Sequence, residues 1–210
     1  MKMGAIRSSF DESLPVNRHY ANIRRSKADM PITTSDRVTA ATLVLLLLAA
    51  QTWWMGRPVI LLSGGLIIAY GIWAFARWNN DATTVLPVYL LAIAVQCLHF
   101  TEEYLTGFQR QFPKLMGGEW SDAHFVTFNM VWLAVFVLAG LGVHRQARVA
   151  YVFVIFLALI GGVGNGASHL FLSAVYRRYF PGAGTAIFCL GVGIALLLRL
   201  FRRMRDSRSQ

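Results

Sequence analysis

One imidazole and two adjacent carboxylates close an apolar run: LPVYLLAIAVQCL ends in HFTEEY, which places His99, Glu102 and Glu103 together. On a helix, at about 100° per residue, positions i, i+3 and i+4 share one face, and Phe100 and Thr101 point elsewhere. Imidazole nitrogen and carboxylate oxygen are ordinary ligands for zinc, iron or manganese, so a divalent ion is what such a face can grip. Taken alone, an acidic pair is also a common solvated helix end. Two other stretches add to it. GNGASHLF sets Asn165 and His169 at i and i+4, and HFVTFNMVW sets His124 at the mouth of a segment with Asn129 deeper inside. His124 and Asn129 are five residues apart, about 140° around a helix, so they do not share a site, and Asn129, the deeper one, is the better candidate.

These residues must be carried by membrane helices. Hydrophobic residues make up 56% of the 210 and charged residues 14%, and the apolar ones cluster in long blocks, as in an integral membrane protein. A spanning helix takes roughly 20 apolar residues to cross a hydrocarbon layer of about 30 Å. Six blocks qualify, near Val38–Met55, Pro58–Ala76, Thr83–Tyr104, His124–Val143, Arg148–Leu172 and Ala183–Phe201. They are too long and too continuously apolar for the alternating strands of a barrel, so the expected fold is an all-α, six-helix membrane bundle over residues 38–201. Residues 1–37 and 202–210 are expected to be basic tails, the first with no apolar core. Nothing in the first tail reads as a cleaved signal peptide, so the first span is expected to do the targeting.

Fifteen of the 20 Lys and Arg fall on the side of the two termini, which predicts cytoplasmic termini by the positive-inside rule. The net charge of +10 then follows from topology and anionic lipid, and no nucleic-acid partner is expected. Cys97 and Cys189 lie inside apolar blocks and read as packing residues. Chain alternation brings the end of the third span, the start of the fourth, the end of the fifth and the start of the sixth to one side of the membrane. His99, Glu102, Glu103, Asn129, Asn165 and His169 therefore share one level, on the side facing the exterior. A charged group at the centre of a span costs roughly 2.5 to 3.5 kcal/mol on an insertion scale, and a metal would satisfy several such groups at once. Asn165 can alternatively serve as an interhelical hydrogen bonder, and His169 as a residue near the interface. The loop YRRYFPGAGTA lies over the same region. Its Arg177, Arg178 and Tyr179 can hold an anionic headgroup or anchor the chain at the interface. Glycines 161, 162, 164 and 166 would allow close helix approach or unwinding, and LTGFQRQFPKLMGGEWSDA has the apolar content of a lid.

Together these elements resemble the HXXEE-domain family of membrane proteins. His99, Phe100, Thr101, Glu102 and Glu103 match its motif. Tyr104, Gly107 with Phe108, Phe128 with Asn129, Asn165 with His169, and Arg177, Tyr179, Pro181, Gly182, Thr185 and Ala186 follow in the family's order. The resemblance covers about Leu86–Leu198, with the stretch GFQRQFP longer than the usual pattern. It implies a membrane enzyme without specifying a reaction.

The expected function is that of a metal-dependent membrane enzyme acting on a lipid or other hydrophobic substrate by hydrolysis or group transfer. His99, Glu102 and His169 are the expected metal ligands, with Glu103 a further ligand or the general base, and Asn129 and Asn165 orienting ligands or holding a reaction oxygen. Zinc is the expected metal, with iron the alternative; a di-iron centre is disfavoured because such bundles typically use about four carboxylates. Two alternatives stand beside this. One is a metal-free isomerase or cyclase in which Glu102 and Glu103 exchange protons with the substrate. The other is a metal or solute carrier, against which no path through the midplane and no inverted repeat is evident. The expected location is a bacterial inner membrane, with the site facing the periplasm or exterior.

Overall fold

The computed structural model describes residues 32–56, 59–76 and 82–206, and among these it is all-helical, with no strand. Most of the two expected tails, together with Arg57, Arg77 and Trp78, lies outside the described residues. Among the described residues seven helices follow one another: α1 (Thr34–Met55), α2 (Ile60–Phe75), α3 (Ala82–Thr106), α4 (Phe108–Leu115), α5 (Asp122–His144), α6 (Ala150–Tyr176) and α7 (Ala183–Asp206). Five of them, α1, α3, α5, α6 and α7, are long and apolar enough to cross a membrane, which gives the chain the build of an integral membrane protein. The expected second span is shorter than the sequence suggested. Its helix has 16 residues, about 24 Å at 1.5 Å per residue, against a hydrocarbon layer of about 30 Å.

Local sequence sets several boundaries. Thr33 and Asp36 form a reciprocal capping box at the start of α1, and Ser121 caps α5 by accepting from the His124 amide at 3.1 Å. α6 ends where Arg177 turns left-handed, at φ 49°. Inside α6 the hydrogen bonding loosens to a π-helical segment over Leu157–Gly164, directly before Asn165.

The bundle is apolar on its outside. Leu45, Leu46, Leu138 and Phe188 are all well over half exposed, whereas the interior holds Trp73, Tyr89, Trp132, Phe136 and Phe156. Lipid tails are as apolar as leucine, so helices are held by close packing and internal hydrogen bonds rather than by exclusion from water. α6 and α7 meet at Gly162 and Gly193, where a Cβ on Gly162 would stand 2.5 Å from the Gly193 Cα, so neither position tolerates a side chain. Tyr89 Oη donates to the Phe136 carbonyl at 2.9 Å, Gln51 Nε2 to Ser63 Oγ at 2.9 Å and Trp73 Nε1 to the Arg148 carbonyl at 2.8 Å. Arg148 also pairs with Asp36 at 3.2 Å, which ties the start of α1, the end of α2 and the α5–α6 link into one end of the bundle. The opposite end gathers the end of α3, the start of α5, the end of α6 and the start of α7.

Candidate functional site

His99 and Glu103 stand one turn apart on α3, and His169 reaches them from the end of α6. All three are buried, at 0%, 2% and 1% exposure. Glu103 Oε1 is 3.4 Å from His99 Nε2 and 3.0 Å from His169 Nε2, and the two rings meet edge to face with centroids 4.7 Å apart. One ligand atom from each residue lies within 4.8 Å of the others. Ligands held at about 2.0–2.2 Å around a tetrahedral ion stand about 3.3–3.5 Å apart, so the donors are close to the spacing an ion would impose.

Counting protons shows what these atoms offer. His169 Nδ1 lies 2.5 Å from the Pro181 carbonyl oxygen, which can only accept, so Nδ1 carries the hydrogen. His99 Nδ1 lies 2.7 Å from Thr185 Oγ1. Thr185 has one hydroxyl proton and donates it to Glu102 Oε2, so its oxygen accepts from His99 Nδ1. In its neutral form each imidazole thus turns a bare Nε2 towards Glu103 Oε1. Buried His99 Nε2 has no hydrogen-bond partner, and Asn165 Oδ1 lies 3.1 Å from His169 Nε2. Electron-rich atoms converge here with no hydrogen between them unless an imidazole takes up a second proton. A cation relieves that arrangement, and two imidazoles with one carboxylate form a donor set that suits a divalent metal.

The two neighbouring glutamates have different surroundings. Glu102 was expected among the ligands, but its carboxylate is engaged at the start of α7. It accepts from the Gly184 amide at 2.7 Å, the Thr185 amide at 2.6 Å, the Thr185 hydroxyl and the Tyr179 hydroxyl. A carboxylate there satisfies the free N–H groups that every helix leaves at its first turn and opposes the dipole. Through Thr185 it also fixes which nitrogen of His99 holds the proton. Tyr179 lies between the spans, and burial together with the Glu102 carboxylate raises its hydroxyl pKa above the ordinary tyrosine value. Gly182, at φ 89°, carries the chain past the site, where a Cβ would stand 2.6 Å from the His169 ring.

Beside the three residues lies a cavity of about 350 Å³. Its polar wall comprises Gln96, Glu103, Asn129, Asn165 and Ser168, and its apolar wall includes Phe100, Phe125, Phe128, Trp132, Phe136 and Phe156. Asn129 is 4% exposed and its Nδ2 has no hydrogen-bond partner. The segment after α3 closes this end. Phe108, Phe112 and Trp120 line the cavity, Phe108 packs 5.0 Å from the His169 ring, and Trp120 Nε1 is pinned to the Met55 carbonyl at 3.1 Å.

The expected residues therefore divide. His99, Glu103 and His169 come together, Asn165 touches His169, and Asn129 lines the adjoining cavity. Arg177 and Arg178 are exposed and do not line it, and the Arg178 guanidinium sits 5.7 Å over the Tyr176 ring. His124 is exposed and stands edge-on to Trp54, with centroids 6.0 Å apart. Sequence reasoning passed over Gln96, although an amide three residues before His99 in an apolar span was a signal. It gave Thr185 and Pro181 no role beyond their places in the family's order.

No curated protein and no solved structure matches the chain. The order of these elements along the sequence does have a match: a family model covers residues 90–196, and the chain belongs to the family described as proteins of unknown function with an HXXEE motif.

Proposed function

We propose that the protein is a metal-dependent integral-membrane enzyme that acts on a hydrophobic substrate by hydrolysis or group transfer, with the metal held by His99, Glu103 and His169. The observation that carries this is the convergence of two imidazoles and a carboxylate, all buried, with one ligand atom of each within 4.8 Å of the others. Zinc suits this set, since catalytic zinc sites use three protein ligands and keep a fourth position open; iron is the other metal that two imidazoles and one carboxylate suit. A bound divalent ion would polarise a carbonyl and bring the pKa of a coordinated water towards about 7. The chain's own residues do the rest. Thr185 and the Pro181 carbonyl orient the imidazoles, Glu102 holds Thr185, and Glu103 presents carboxylate oxygen to both the ion and the cavity. Asn129 and Asn165 are amides placed to steady a reacting oxygen. The excess of basic residues towards the termini supports an outward-facing site, with Arg177 and Arg178 as interface anchors.

A second reading rests on Glu103 lining an aromatic cavity: it would pass a proton to an unsaturated substrate with no metal, as an isomerase or cyclase does. Elemental analysis of detergent-purified wild type beside His99→Ala and His169→Ala separates the two. One zinc or iron per wild-type chain, lost in both variants, is expected. Equal metal content in all three overturns the metal reading and leaves proton transfer.

A further inference from the structure

The cavity wall defines what can enter. A volume of about 350 Å³ holds about a dozen non-hydrogen atoms at about 30 Å³ each, roughly the share of a water in the liquid. Nine aromatic residues line it, and neither Lys nor Arg does, so no side chain of the wall pairs with a phosphate or carboxylate head. Its polar groups leave a specific gap. Asn129 Nδ2 is a buried donor with no partner, and a donor calls for an acceptor oxygen on whatever occupies the cavity. Leu61 lines the cavity and is 61% exposed, so the mouth opens on the apolar exterior of the bundle.

We propose that the cavity takes an uncharged medium-chain acyl ester from the membrane, with the acyl chain along Phe128, Trp132, Phe136 and Phe156 and the carbonyl oxygen accepting from Asn129 Nδ2. The choice of an ester rests on the hydrolytic reading above; the size and neutrality of the ligand do not. In the reaction the acyl carbon gains oxygen from water as its bond to the ester oxygen breaks. One water proton passes to the departing alcohol and the other is released as the acid ionises.

The test is photolabelling of the full chain in lipid nanodiscs with a diazirine-bearing methyl octanoate, with the crosslinks mapped by peptide mass spectrometry. Labelling is expected within residues 125–136 and 156–164, with methyl octanoate competing at least tenfold better than octanoate or octyl phosphate. Asn129→Leu keeps the volume, loses the donor and should weaken competition about tenfold. Leu62→Trp, which fills the cavity from α2, should abolish labelling while zinc content is unchanged. Octanoate competing as well as its ester, or labelling indifferent to both substitutions, overturns the proposal. Metal content measured on the same samples keeps the two readings apart. Specific labelling of a metal-free chain refutes the metal centre alone, and a metal-loaded chain without cavity labelling refutes the ester alone.

Discussion

Thr185→Val is the substitution that most sharply tests how the site is held together. Valine keeps the shape and removes the oxygen that accepts from His99 Nδ1 at 2.7 Å. Glu102 still accepts from the Gly184 amide, the Thr185 backbone amide and Tyr179, so the start of α7 keeps its cap. The loss therefore falls on His99. Without an acceptor at Nδ1, the neutral ring places its proton on Nε2, where Glu103 Oε1 stands 3.4 Å away. Binding a metal must then drive that proton back to a buried Nδ1 that has lost its oxygen acceptor. An unsatisfied buried donor costs about 1–3 kcal/mol. The whole of that cost appears in metal affinity, a weakening of about 5- to 150-fold at about 1.4 kcal/mol per decade. Competition of purified protein against a zinc chelator measures it, with Thr185→Ser, which restores the hydroxyl, returning to within a few-fold of wild type. Wild-type affinity in Thr185→Val, or equal losses in the valine and serine variants, would refute the proton assignment.

Gly182→Ala forces a side chain onto a residue at φ 89° and drives its Cβ to within 2.6 Å of the His169 ring. The backbone alone costs about 1–2 kcal/mol, so a lowered melting temperature together with reduced metal content is expected, both readable from thermal unfolding and elemental analysis. Tyr179 donates to Glu102 and its pKa is raised, so the folded state holds that proton more tightly than the unfolded chain does. The contribution is complete below the ordinary tyrosine pKa of about 10 and is lost as pH rises through the higher folded value. Melting curves across alkaline pH should fall more steeply for wild type than for Tyr179→Phe.

The i, i+4 pairs His99 with Glu103 and Asn165 with His169 were legible because helical spacing alone puts each pair on a face, and alternation of spans alone puts both faces at one end. The two glutamates were not separable in that way. Glu102 and Glu103 sit at i+3 and i+4 from His99 and share its face, and what distinguishes them is the arrival of α7, whose first amides capture only Glu102. That is a long-range contact, across more than 80 residues, and no local pattern records it. Thr185 held a place in the family's order, but its link between Glu102 and His99 was hidden for the same reason. The covering of the cavity was half legible: the apolar content of the segment after α3 was plain, but the stacking of Phe108 on Phe112, at 4.8 Å, and its packing against His169 depend on how α4 folds back. The shortness of α2 escaped because hydropathy measures where a span can lie, not where its backbone leaves the helix.

The widened turns of α6 amount to a setting of phase. Over Leu157–Gly164 the chain takes more residues per turn than an α-helix does, and everything beyond is rotated accordingly. Were the same eight residues wound as an ordinary α-helix, the following turn would be advanced by roughly 100°, carrying His169 away from Glu103. The imidazole reaches its partners only because the segment beneath it miscounts.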